Sequence, residues 1–317
     1  MIKTNLCKPR DAKLFSQRDF IFTAKAAYVQ GSIAVAAYRG QLTDSLWYAT
    51  YERVGPHRPM IYFVDEKLSY SYGDMENDSN RFARLALQLG LRAGETVALY
   101  MQNRPQYVAA WLGFAKAGIR TALINHNLKD APLLHSFKES ACKLIVFEGA
   151  LAAQVDAVRQ QLEPTLAASL YCFGPIAATT TTTSSSSTAG ASSSATPVAV
   201  SLDGSPLGWA KPLEALLQSV SSKPLEADKR AGRVFWFLFL SRVCLSCALT
   251  RLLLFLGAQG VRYGDPLLYV YTSGTTGMPK AAKISHTRIR LIACGFATMA
   301  GVDENDRIYT SLPLYHR

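Results

Sequence analysis

A chain of 317 residues, 49% hydrophobic and 18% charged, has a globular composition and the length to bury a substantial core in one or two domains. Its 34 Lys and Arg against 23 Asp and Glu give a formal charge of +11, which suits a nucleotide or an anionic membrane surface. The basic residues are dispersed and carry no nucleic-acid-binding motif, so no nucleic-acid partner is expected. The six cysteines suggest no disulfide framework and read as belonging to a reducing, cytosol-facing environment.

Residues 1–44 form a basic extension, with Lys3, Lys8, Arg10 and Lys13 near its start and no apolar run of the kind a secretory signal needs. It reads as a solvated extension or, with less support, a membrane-surface arm. A regular pattern fills residues 45–175. Two short strands over 61–64 and 67–72 flank a turn at Asp65-Glu66. Asp74 offers an N-cap to a helix that repeats Phe82, Leu85, Ala86 and Leu89 on one face until Gly90 stops it.

Strands are then predicted over 96–101, 119–124, 143–147 and 168–173, with helices over 105–118, 130–140 and 150–162 between them. Pro105 suits the first turn of its helix, and Tyr107, Trp111 and Phe114 fall at a spacing that reads as packing. This alternation predicts an α/β fold, a mostly parallel sheet joined by crossover helices. Asn125, His126 and Asn127 follow a strand at its carboxyl end, where such sheets place ligands.

Residues 176–232 read as a connector. Within them 179–196 hold 14 Ser or Thr in 18 positions, too little apolar surface to offset chain entropy, so disorder is predicted. A short helix is expected over 213–220. Residues 233–260 are apolar and long enough to cross a bilayer, but Arg242 and Arg251 offset the gain and lie nine residues apart, on no common helical face. Cys244 and Cys247 lie in this run without a second pair to complete a zinc site, and read as small hydrophobes.

Residues 261–317 hold the densest chemistry. After an apolar strand over 267–270 comes Tyr-Thr-Ser-Gly-Thr-Thr-Gly-Met-Pro-Lys, residues 271–280. Gly274 and Gly277 let the backbone approach an anion closely. Hydroxyls of Thr272, Ser273, Thr275 and Thr276, with successive backbone N–H groups, can donate to phosphate oxygens, and Lys280 adds a positive charge. The string is not a Walker A loop, because Met278 and Pro279 separate the second glycine from the lysine. A helix starting near Ile284 and running to Ala300 follows, with His286 as a structural helix-start residue. A strand over 307–311 then leads to Leu312-Pro-Leu-Tyr-His316, which makes His316 a second site candidate.

Four stretches, residues 268–277, Pro279-Lys280-Ala281-Ala282, Ala122-Leu-Ile-Asn-His-Asn-Leu128 and Leu312-Pro-Leu-Tyr-His316, resemble the adenylate-forming superfamily of AMP-binding synthetases and ligases. Within it they are most similar to the fatty acid transport proteins, which are very-long-chain acyl-CoA synthetases. The resemblance covers about residues 50–175 and 261–317 and implies the N-terminal, incomplete layers of an adenylating domain. It implies ATP-dependent activation of long or very-long-chain fatty acids to acyl-CoA through acyl-AMP, coupled to uptake, with ATP, Mg2+ and CoA as cofactors.

On that resemblance Thr272, Ser273, Gly274, Thr275, Thr276, Gly277 and Lys280 hold the β and γ phosphates. His316 lines the junction of acyl carboxylate and α-phosphate, and no metal ligand is assigned. His126 is set aside, since the relatives usually have a threonine-like residue there. A membrane-associated, cytosol-facing location at the endoplasmic reticulum or plasma membrane is implied, with a homo-oligomer as one option. Joining Gly232 directly to Val261 reads like an uninterrupted family linker, which marks 233–260 as either a membrane segment or a gene-model artefact. The family's Tyr-x-x-Thr-Glu motif, ribose aspartate and C-terminal catalytic lysine do not occur before Arg317. The chain alone is therefore expected to make no acyl-CoA, and the alternative is a non-catalytic nucleotide-binding or membrane-associated fragment, soluble in one version.

Overall fold

The computed structural model describes residues 25–32, 42–162, 170–174, 210–225, 261–273, 278–303 and 305–315. The Ser/Thr-rich run, the apolar 233–260 segment, Gly274, Thr275, Thr276, Gly277 and His316 lie outside these residues. Among the described residues no helix is long and apolar enough to cross a membrane.

Helix α1 (Thr43–Val54) precedes an antiparallel hairpin of β1 (Pro59–Phe63) and β2 (Leu68–Ser71). Helix α2 (Tyr72–Gln88) starts one turn earlier than Asp74 as N-cap would have it. The Ser71 hydroxyl accepts from the Asp74 N–H (3.1 Å) and the Asp74 carboxylate accepts from the Ser71 N–H (2.9 Å). The pair forms a capping box with Ser71 as the cap.

The main sheet then builds up by strand and helix in turn: β3 (Thr96–Tyr100), α3 (Pro105–Lys116), β4 (Arg120–Leu123), α4 (Asp130–Glu139) and β5 (Leu144–Glu148). A short 3-10 turn leads into α5 (Ala152–Arg159), followed by β6 (Leu170–Phe173), β7 (Lys211–Pro212), α6 (Leu213–Ser219), β8 (Pro266–Ser273), β9 (Pro279–Ser285) and α7 (His286–Ala300). The spatial order is β7-β6-β5-β3-β4-β8-β9. Every neighbouring pair is parallel except β8 and β9, so the α/β layer expectation holds.

Alternating side chains give the sheet two apolar faces. Val97, Leu99, Val146, Tyr171, Leu268 and Val270 join a core beneath α2, α3 and α6. Ala98, Tyr100, Ala122, Ile145, Phe147 and Tyr269 join a second core beneath α4 and α5. Tyr107 and Phe114 are buried, and Trp111 packs at the edge of the first core, as the packing reading has it.

Two expectations are corrected at the carboxyl end of the chain. The stretch from Pro279 is a strand, β9, which runs to Ser285 and leaves α7 to begin at His286. The strand over 307–311 is not formed. Among the described residues, 307–311 pair with no strand, and Ile308 and Tyr309 face solvent; an extended run without a ladder partner gains no sheet hydrogen bonds.

His286 is the structural residue expected of it. It is 3% exposed, and its Nδ1 accepts from the Thr43 N–H (3.3 Å) and lies 2.9 Å from the Thr43 hydroxyl. Burial penalises the imidazolium more than Asp265 favours it, and the pKa falls from 6.5 to about 4. The unfolded chain therefore binds the proton first. This contribution to stability is complete above pH 6.5 and is lost as the pH falls from there towards 4. Between pH 8 and pH 5 the native protein is expected to lose about 2 kcal/mol more than a His286→Gln variant. Urea unfolding at the two pH values measures the difference, and parallel losses would refute it.

Candidate active site

The sheet changes direction at β3, which lies between β4 and β5, and the chain crosses from one face to the other around it. Crevices at such switch points open at the carboxyl ends of the strands, where ligands bind in α/β sheets. Residues 102–104, 125–127, Glu148, Gly174 and the end of β8 all lie on that edge.

At β8 the edge is formed by a hairpin mouth. Ser273 pairs with Pro279 and Thr272 with Lys280, so two candidates eight residues apart in sequence stand opposite each other across the ladder. Both side chains are exposed, and the Thr272 hydroxyl is 3.5 Å from the Lys280 carbonyl. Leu123 pairs with Val270, so the 125–127 turn leaves the sheet beside the last residues of β8. Of the seven phosphate-loop candidates the structure thus places the side chains of Thr272 and Lys280 and the backbone of Ser273.

Helix α4 grips the same hairpin from below. The Tyr271 hydroxyl donates to the Ser136 carbonyl (2.9 Å), and His135 Nε2 donates to the Pro279 carbonyl (3.1 Å). The carbonyl can only accept, which fixes the proton on Nε2. Burial raises the Tyr271 pKa, so the hydroxyl stays protonated. His135 was not singled out by sequence; it is one residue in a helix, with no local pattern pointing to a loop 144 positions away.

The segment that leads to His316 is seated on the same edge. Asn103 accepts from the Leu314 N–H (2.8 Å) and donates to the Leu312 carbonyl (2.9 Å), mimicking with one amide side chain the paired bonds of a strand neighbour. Asn127 Nδ2 donates to the Tyr315 hydroxyl (3.2 Å), and the Tyr315 ring meets His126 edge to face at 5.2 Å. Asn125 shapes the turn by accepting from the Asn127 N–H (2.8 Å). Burial lowers the His126 pKa more than Glu148 raises it, which favours the neutral ring. The residue set aside on sequence grounds therefore lines the place where residues 312–315 dock.

Further along, Arg104 binds Glu148 (2.7 Å) and Glu66 (3.1 Å) and lies over the Phe173 ring at 5.2 Å, while Glu148 also accepts from the Gln102 N–H (2.9 Å). Its charge is committed to two carboxylates, so it braces the edge and is a poor phosphate ligand. Among the described residues no carboxylate pairs with Lys280 in its exposed position at the mouth. Among the described residues no group of three or more His, Cys, Asp or Glu is placed to hold a metal.

A family model described as AMP-binding enzyme matches residues 50–317. The chain is 30% identical over 261 residues to long-chain fatty acid transport protein 1 of Rattus norvegicus, a match covering 82% of this chain and 32% of that protein. It is 31% identical over 265 residues to long-chain fatty acid transport protein 2 of the same organism, covering 83% and 33%. The chain thus spans about a third of the length of these relatives. In fold it is similar to a putative long-chain-fatty-acid CoA ligase from Rhodopseudomonas palustris, with a TM-score of 0.59 at 16% identity over 87% of this chain and 52% of that one. The inhibitor-bound N-terminal domain of FACL13 from Mycobacterium tuberculosis gives 0.57 at 20% identity, again over 87% and 52%.

Proposed function

The chain belongs to the AMP-binding enzyme family, and from that premise we propose that it carries the triphosphate-holding part of an ATP-dependent, AMP-forming activation of a long or very-long-chain fatty acid. In that reaction the fatty carboxylate attacks the α-phosphorus of ATP, the bond to pyrophosphate breaks, and acyl-AMP forms. The CoA thiol then displaces AMP. The observation that carries the proposal is the hairpin mouth, where Thr272 and Lys280 stand opposite each other on the carboxyl edge.

The residues present suit a polyphosphate. An exposed hydroxyl and an exposed ammonium group frame a Gly/Thr-rich loop, and adenylation needs no covalent protein nucleophile, only positioning and charge neutralisation. Thr272, Ser273, Gly274, Thr275, Thr276, Gly277 and Lys280 are assigned to the β and γ phosphates, and His316 to the junction of carboxylate and α-phosphate. Mg2+ is taken to arrive with the nucleotide, and no described residue is assigned to CoA. The docking of residues 312–315 through Asn103 and Asn127 supports the role given to His316, because it ties the preceding residue to the edge that carries the phosphate loop. Uptake coupling, membrane association and the choice of a long-chain acid rest on the likeness to the fatty acid transport proteins and on the +11 charge.

Lys280→Ala is expected to weaken MgATP binding about tenfold, equivalent to about 1.4 kcal/mol, as read by calorimetric titration of the purified chain. Thr275→Ala should weaken it in the same direction. Equal affinity in wild type and both variants, or no MgATP binding by the wild type, would overturn the phosphate assignment.

A further inference from the structure

We propose that His135 is a positioning residue for Lys280, acting through the Pro279 carbonyl to hold the mouth of the β8–β9 hairpin in register; the inference rests on the phosphate role assigned to Lys280 above. The first rung of that hairpin contains a proline. Ser273 pairs with Pro279, and a proline has no N–H to give to a ladder. Pro279 can therefore be held by a hydrogen bond only through its carbonyl.

Helix α4 provides that hold from outside the ladder. His135 Nε2 donates to the Pro279 carbonyl at 3.1 Å, and the next residue, Ser136, offers its carbonyl to the Tyr271 hydroxyl at 2.9 Å. Two successive residues of one helix thus tie both strands of the hairpin, one as donor and one as acceptor. Ser136 is itself buried, with its hydroxyl bonded to the Pro132 carbonyl at 2.8 Å, so the anchor is set in the core beneath the sheet. Pro279 is buried, and Lys280 follows it directly with its side chain in solvent. Fixing the Pro279 carbonyl fixes the peptide plane that joins Pro279 to Lys280, and so the direction in which the lysine leaves the strand. Preorganised charge is worth more to a bound anion than charge that must be ordered on binding.

The contact needs a donor and not a charge, which sets the test. His135→Phe keeps an aromatic ring and removes the donor, whereas His135→Gln keeps an N–H. In native-state hydrogen exchange, the amides of residues 280–282 are expected to exchange at least about tenfold faster in His135→Phe than in wild type, with His135→Gln within about threefold of wild type. Equal exchange in all three proteins would overturn the proposal without reference to any nucleotide.

In MgATP titrations His135→Phe is expected to bind about fivefold more weakly and His135→Gln within about twofold of wild type. The loss from His135→Phe should largely vanish on a Lys280→Ala background, since a residue that acts through the lysine has nothing left to position. A residue that merely stabilised the fold would lower affinity equally on both backgrounds. If Lys280→Ala weakens binding and His135→Phe does not, His135 has no positioning role and the phosphate site stands. If Lys280→Ala itself changes nothing, the phosphate site is wrong, whatever the exchange experiment shows of the hairpin.

Discussion

Replacing Lys116 with methionine is expected to destabilise the protein by about 3–5 kcal/mol, the range for breaking a buried ion pair from one side. Lys116 ends α3 and is 1% exposed. Its ammonium group donates to Glu76 (2.7 Å), the Ser79 hydroxyl (2.8 Å) and the Asn80 side-chain oxygen (2.8 Å), and lies 5.1 Å from the centre of the Tyr48 ring. Glu76 also accepts from Trp47 Nε1 (2.5 Å) and Asn80 Nδ2 (2.9 Å), and Asn80 donates to the Ser222 carbonyl (2.9 Å). One ion pair thus joins α1, α2, α3 and the chain after α6. Methionine fills similar space but leaves the Glu76 carboxylate buried without its cation, and that orphaned charge is the main cost. The double variant Lys116→Met/Glu76→Leu removes both charges and should be less destabilised than Lys116→Met alone. Urea midpoints measure both, and a Lys116→Met midpoint equal to wild type would show that the pair does not hold these helices together.

That network marks a general limit on what the sequence revealed. The central strands were legible because a strand buried on both faces is an unbroken apolar run; Thr96 to Tyr100 is buried at every position. Helix α3 was legible from Pro105 at its start and the apolar face behind it. Strand β9 was not, since Pro-Lys-Ala-Ala-Lys-Ile-Ser has little intrinsic strand preference and is extended because β8 pairs with it. The opposite error befell 307–311, which has the composition of a strand and no strand partner among the described residues. At Ser71 and Asp74 both residues are cap formers, and only the hydrogen-bond geometry shows which one is the cap.

The site divides in the same way. The stretch proposed to hold phosphate was legible as a candidate because its chemistry is contiguous, so hydroxyls, glycines and the lysine all fall within ten residues. What holds the hairpin mouth and the 312–315 segment in place was not legible. His135 reaches Pro279 across 144 residues and Asn103 reaches Leu314 across 211. Each is a single side chain bonded to a distant main-chain group, and a bond of that kind leaves no periodicity in either stretch of sequence.

Gly113→Ala carries the second large effect, and here helix propensity and packing point in opposite directions. In an exposed helix interior the change should gain up to about 1 kcal/mol. Gly113, however, lies where α3 crosses α2, and an added Cβ would stand 2.3 Å from the Ser79 carbonyl oxygen, 2.6 Å from Phe82 Cβ and 3.1 Å from the Ala83 nitrogen. Two of these are backbone atoms that cannot swing aside, so the helices must separate. Overpacking of this kind costs about 1–3 kcal/mol, occasionally more, and contact with backbone puts Gly113→Ala at the upper end, a net loss of about 3 kcal/mol. Separation would also lengthen the Lys116 bonds to Ser79 and Glu76 one turn further along α3. Gly113→Ala and Lys116→Met should therefore lose less together than the sum of their separate losses. Gly295 in α7 has no described atom within 4 Å of an added Cβ, so Gly295→Ala should keep the propensity gain. Opposite shifts in urea midpoint for the two glycine substitutions are the expected result, and stabilisation by both would mean that α2 and α3 do not cross this closely.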